Sequence, residues 1–259
     1  MTFDQEVHPR LRFDRDPLRV VVAQVRFPTS HHLATADAQA AIQAALAGSF
    51  PKPLAAIQEV TIGFTPQGPT TPQVAQSAIR FSDESEERIV SIGTEMASFE
   101  TTRYAGWEAF RADLRATLEL AARLGGIAEM SRFGLRYVDE LAIEGVRTIA
   151  DWSEVVAESL LGAPDGLARD PRVIKTAQRI SLRIDDDIVN LRQGFTESPP
   201  GEDRQSVYLI DTDIFTTSQI PWDVDALMAR ADRYHTWVTN IFGRSLTPTG
   251  VERLGGRPR

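Results

Sequence analysis

The 259-residue chain contains no cysteine. That removes disulfide frameworks, thiolate zinc sites, iron–sulfur clusters and cysteine nucleophiles. Lysine is almost missing too: Lys52 and Lys175 are the only two among 28 Lys and Arg residues. The remaining basic side chains are arginines, which are planar, always charged and suited to bidentate pairing with carboxylates. No apolar run approaches the ~18 residues of a membrane-spanning helix. Met1 to Asp16 lack the apolar stretch of a secretory leader, so the expected location is cytoplasmic. Acidic residues outnumber basic ones, 36 against 28, for a net charge of -8. This argues against bulk nucleic acid or an anionic membrane as partner.

Motifs with built-in chemistry are missing as well. There is no GxxxxGK[ST], no GxGxxG after a strand, no GxSxG and no HExxH. His8, His31, His32 and His235 are the only histidines. Adjacent His31 and His32 point in different directions and read as loop residues, and His235 reads as a helix flank beside Tyr234. Neither a metal nor any other cofactor is expected.

What is present is a regular alternation of strands and helices. Leu18–Phe27, Ala56–Phe64, Ser77–Phe81, Arg88–Ile92, Ser98–Thr102 and Arg132–Leu141 read as strands in the first part. Thr35 or Asp37 is placed to cap a helix over Ala38–Ala47. Trp107, Phe110, Leu114, Leu118 and Ala121 recur at helical spacing, with Gly125-Gly126 as the stop. Later come a short helix around Trp152–Leu161, strands at Gln178–Ile184, Ile188–Gly194 and Val207–Phe215, and a final helix begun by Pro221 and Asp223. Residues 1–17, 65–76, 162–166 and 197–205 read as irregular, and the tail after Pro248 as frayed. Asp83–Glu87 and Asp185–Asp187 read as acidic hairpin tips. Trp222 is positioned to staple the last helix, and Trp237, off its inward stripe, reads as a groove or interface residue.

The predicted class is α+β: two similarly built halves, residues 1–143 and 144–259, with antiparallel sheets and helices on one face. Within the strands, side chains alternate. Gln24 and Arg26 oppose Val21, Ala23, Val25 and Phe27. Glu100 opposes Phe99; Arg132 and Arg136 oppose Phe133, Leu135 and Tyr137. Arg179, Ser181 and Arg183 oppose Ile180, Leu182 and Ile184, echoing the Arg132–Asp139 pattern. Asp211 and Asp213 oppose Tyr208, Ile210 and Ile214. The candidate ligand-binding set is therefore Gln24, Arg26, Glu100, Arg132, Arg136, Arg183, Asp211 and Asp213. Paired arginines suit anionic or polar ligands; cross-strand ion pairs on a solvated face are the structural alternative.

The blocks Val22-x-Gln24-Val25-Arg26-Phe27-Pro28, Glu100-Thr101-Thr102-Arg103-Tyr104-x-x-Trp107, Gly134-Leu135-Arg136-Tyr137 and Tyr208-Leu209-Ile210-Asp211-Thr212-Asp213-Ile214-Phe215 resemble a sporadically distributed bacterial family of about this length. The family usually carries an acidic residue near Val20–Ala23 and a basic or polar residue after the Gly134–Tyr137 block. Here the first positions are apolar, and Asp139 follows the second block. The resemblance implies a fold and a cytosolic bacterial origin, suggests mobile or defence-type loci, and transfers no catalytic residue. The favoured function is a non-enzymatic binding or regulatory protein for a protein partner or a small polar or anionic ligand, with a homodimer left open. Two alternatives stand beside it. One is a metal-assisted hydrolase or nucleotide-processing enzyme using Glu100, Asp211 or Asp213. The other is a subunit of an antitoxin-, immunity- or defence-type complex.

Overall fold

A computed structural model of the chain describes residues 11–61, 64–65, 68–69, 73–163, 166–167, 169–197 and 206–258. The irregular readings at 1–10, 66–67, 70–72, 164–165 and 198–205, and His8, lie outside the described residues. The protein is α+β. Its longer strands are β1 (Leu18–Arg26), β2 (Lys52–Thr61), β3 (Gln73–Ser82), β4 (Arg88–Ile92), β5 (Met96–Thr101), β6 (Arg132–Ala142), β7 (Gln178–Ile184), β8 (Asp187–Glu197) and β9 (Ser206–Thr216). The helices are α1 (Ala36–Leu46), α2 (Trp107–Gly125), α3 (Ile149–Val155), α4 (Val224–Ser245) and α5 (Pro248–Arg253). Two compact units result: Met1–Val21 with Leu135–Thr216 and Ala229–Arg259, and Val22–Gly134 with Thr217–Met228.

In the second of these units the strand order is β1-β5-β4-β3-β2. Helix α2 exists because its apolar stripe is buried: Trp107, Phe110, Leu114, Leu118 and Ala121 are all under 7% exposed. Each such large side chain contributes about 1.5–3 kcal/mol on burial. The Phe110 ring packs 5.0 Å from Phe99 of β5. Gly126, at φ 57°, stops the helix in the left-handed region that favours glycine. Thr35 is the cap of α1, accepting from the Ala38 amide. Trp222 meets Phe27 edge-on at 5.7 Å, and Asp223 caps α4 by accepting from the amides of Asp225 and Ala226.

In the first unit the order is β7-β8-β9-β6. Its core gathers Leu141, Trp152, Leu191, Phe195, Tyr208 and Ile210 under α3 and α5. The polar edges of these aromatics are satisfied, as burial demands. Trp152 Nε1 donates to Ser206 Oγ at 2.8 Å, and the Tyr208 hydroxyl donates to the Leu160 carbonyl at 2.5 Å.

Several expectations are corrected. The tail is ordered rather than frayed: Thr247 caps α5 with Pro248 in its first turn, and Leu254 is buried. Gly250 fits against Val155 because a Cβ there would lie 2.1 Å from the Val155 carbonyl oxygen. Arg257–Pro258 then pairs with Leu11–Arg12. Strand β3 begins at Gln73, inside the stretch read as loop. Trp237 is core, 2% exposed, beneath the Arg233 guanidinium. His235 is buried too, its Nδ1 3.0 Å from the Tyr137 hydroxyl.

The triple acid Asp185–Asp187 divides in two. Asp185, at φ 51°, forms the turn, but Asp187 opens β8 and is 2% exposed. Its carboxylate binds Arg230, Arg233 (2.6 Å) and the Tyr234 hydroxyl (2.6 Å), fastening α4 to the sheet. Burial, then the bond to Asp187, pushes the Tyr234 phenol up.

Asp139 lies on the inward face of β6 and is 5% exposed. Burial, reinforced by Asp16, raises its carboxyl well above the usual carboxylate range. The folded state therefore holds this proton to higher pH than the unfolded chain. Stability contributed here is complete below the unfolded value of about 3.9 and is lost as pH rises through the folded value. Asp139→Asn removes that loss. Denaturant titrations at acid and neutral pH should show the variant gaining on the parent at neutral pH alone; parallel pH profiles would contradict the assignment.

Candidate functional site

The face of the first unit's sheet opposite its apolar core is lined with arginine. On β9, Tyr208, Ile210 and Ile214 turn inward, which sends Asp211 and Asp213 outward. Arg192 on β8 stands directly opposite Asp211, and Asn190 directly opposite Asp213. Arg136 comes from β6. Its Nε donates to Asp211 Oδ1 at 2.7 Å and its Nη2 to Oδ2 at 2.9 Å, a bidentate fork. Arg192 Nη1 reaches the same Oδ2 at 3.4 Å. One carboxylate, 5% exposed, thus lies beneath two guanidiniums that are 45% and 46% exposed. The hydrogen bonds to Asp211 raise the Arg136 pKa against the effect of burial, and Asp213 adds to the rise.

The register extends this arrangement to β7. Arg179 stands directly opposite Arg192, Ser181 opposite Asn190, and Arg183 opposite Ile188. Ser181 donates to Asn190 Oδ1 at 2.7 Å. Arg179 and Arg183 are exposed, and neither guanidinium has a hydrogen-bond or ion-pair partner among the described residues. Among the described residues, Arg136, Arg179, Arg183 and Arg192 therefore share this face with Asp211, Asp213 and Glu140, and Glu140 pairs with Arg19. A like-charge pair directly across two strands is destabilising, and local rules are broken most often at functional sites.

The other expected site residues are placed differently. Gln24 accepts from Arg26 Nε at 3.2 Å. Glu100 pairs with Arg80 at 3.3 Å. Arg26, Arg132 and Glu100 all belong to the unit of Val22–Gly134. Arg136, Arg183, Asp211 and Asp213 share the arginine face. The candidate set lacks both Arg179 and Arg192, although alternation with Ile180 and Leu182, and with Val189 and Leu191, marks each as outward. The echo between Arg132–Asp139 and Arg179–Asp186 separates two different roles: β6 alternates buried and exposed, whereas β7 is an edge strand and mostly exposed.

The unit of Val22–Gly134 holds a cavity of about 250 Å³ lined by Asp83, Arg88, Thr101, Arg103, Tyr104 and Asp113, among others. Both of its arginines are paired with acids. Arg88 binds Asp83 at 3.0 Å and Asp113 at 3.1 Å, and Arg103 binds Glu87 at 3.4 Å. Burial opposes ionisation of Asp83, but the Arg88 side chain and backbone amides hold its pKa below the ordinary value. No group of three or more metal-ligating side chains occurs among the described residues. None of the described helices is long and apolar enough to cross a membrane. No family model matches the chain, and no curated protein or solved structure matches it significantly.

The two shared carboxylates should differ in cost. Asp211→Asn leaves half-exposed arginines that water can resolvate, and should cost about 1–2 kcal/mol. Asp187→Asn strands the more enclosed Arg230, 20% exposed, together with Arg233, and should cost about 3–5 kcal/mol. Equilibrium urea unfolding of both variants checks the order; equal losses would contradict it.

Proposed function

We propose that this chain is a binding protein whose arginine face recognises carboxylate groups on a partner. The observation that carries the reading is Arg179 opposite Arg192, with Arg192 sharing its one aspartate with Arg136. Arg179 and Arg183 add two guanidiniums to the face without an acid partner among the described residues, in a chain whose net charge is -8. An anionic group entering between Arg179 and Arg192 relieves the repulsion and gains charge-assisted hydrogen bonds. The acidic remainder of the chain disfavours polyanions that would coat the whole surface. Reaction chemistry at Asp211 is less favoured, because both of its oxygens already accept from guanidiniums.

The test exploits the conflict between stability and binding. Arg179→Glu creates a cross-strand ion pair with Arg192 and should stabilise the fold by a few tenths of a kcal/mol. The same change should weaken binding of poly-glutamate, measured by fluorescence anisotropy at low salt, by about tenfold. Arg103→Glu, at the cavity rim, serves as the control and should leave that binding unchanged. Poly-glutamate affinity that depends on Arg103 and not on Arg179 would overturn the proposal.

A further inference from the structure

Strand β7 is the outermost strand of the first unit's sheet, with β8 on one side and, among the described residues, no strand on the other. Its seven residues pair with β8 in unbroken register from Gln178↔Gln193 to Ile184↔Asp187. It carries no proline, and no backbone hydrogen bond closes its outer edge among the described residues. Edge strands are commonly protected by bulges, proline or cover. Strand β2, outermost in the other unit, has register breaks at Leu54/Ile57 and Gln58/Glu59. Strand β7 has no such break. Its two faces differ in chemistry: Arg179, Ser181 and Arg183 flank the arginine face, while Ile180, Leu182 and Ile184 lie on the other. Leu182 is 40% exposed, and Ile174, just upstream, is 66% exposed.

We infer that β7 accepts an extended acidic segment of a partner protein as an added strand, one with alternating carboxylate and apolar side chains. Main-chain hydrogen bonds to the open edge supply affinity, and the alternating side chains supply specificity. Carboxylates at every second position meet Arg179 and Arg183, while the apolar positions between them cover Ile180 and Leu182. A second copy of β7 is a poor occupant. Pairing like faces sets Arg179 and Arg183 against the same arginines, and like charges directly opposite are destabilising. The inference rests on the reading of the arginine face as a carboxylate site and adds to it the mode of capture.

The experiment uses the full chain and a fluorescent synthetic peptide of alternating Glu and Val. The same peptide N-methylated at alternate residues retains its charge but loses the donors and the close approach needed for strand pairing. The Glu/Val peptide should bind, and N-methylation should weaken it by about tenfold or more. Arg179→Glu combined with Arg183→Glu should abolish binding, and a Lys/Val peptide should restore it to that variant. Such rescue requires a folded protein, so a misfolded variant cannot mimic it. Equal binding of the N-methylated peptide would overturn strand addition while leaving carboxylate recognition standing. Failure of both this peptide and poly-glutamate to bind would overturn both. Concentration-dependent protection of the β7 amides from hydrogen exchange, without peptide, would identify a second copy as occupant and overturn the inference.

Discussion

A single carboxylate shared by two arginines organises the outer face of the first unit. Asp211 lies on β9, where Arg192 faces it from β8 and Arg136 from β6. Removing a carboxylate from water is costly unless its lone pairs are filled. Three N–H donors fill them here, so the acid is buried while both guanidiniums remain wet. The consequence is a fixed, pre-oriented pair of cations. Their rotamers are already restricted, which lowers the ordering cost of binding an anion.

The same chemistry recurs on the other side of the sheet with the opposite outcome. Asp187 also binds two arginines, Arg230 and Arg233, but both come from α4, and the Tyr234 hydroxyl completes the cluster. There the arrangement fastens a helix to a strand. Solvent access separates the two uses. Asp211 supports groups that water can reach, whereas Asp187 supports groups committed to the packing of α4. The cavity of the other unit is a third variation, in which Arg88 lies between Asp83 and Asp113 and acids outnumber bases.

Much of this was legible in the sequence because alternation and helical spacing are local signals. The α2 stripe, the opposed faces of β9 and the boundaries of β4 and β7 followed directly from residue order. The rest depended on partners distant in the chain. Asp185–Asp187 looks like one acidic turn, and only the β8 register shows that its third residue is enclosed by α4. His235 and Trp237 flank an apolar stripe, and Tyr137 and Arg233 determine that both are core. The outward face of Arg192 is a local signal, but its place opposite Asp211 is not, because the segment joining β8 to β9 is too long for turn rules to fix the register. Arg132–Asp139 and Arg179–Asp186 have nearly the same pattern, yet strand order makes one interior and the other an edge.

The most direct test is to follow the arginine Nε–Hε resonances by NMR while poly-glutamate is added to the full chain. Arg179, Arg183 and Arg192 should shift together, while Arg136, already forked onto Asp211, moves least. Shifts confined to Arg88 and Arg103 at the cavity, with the β7 and β8 arginines unmoved, would contradict it.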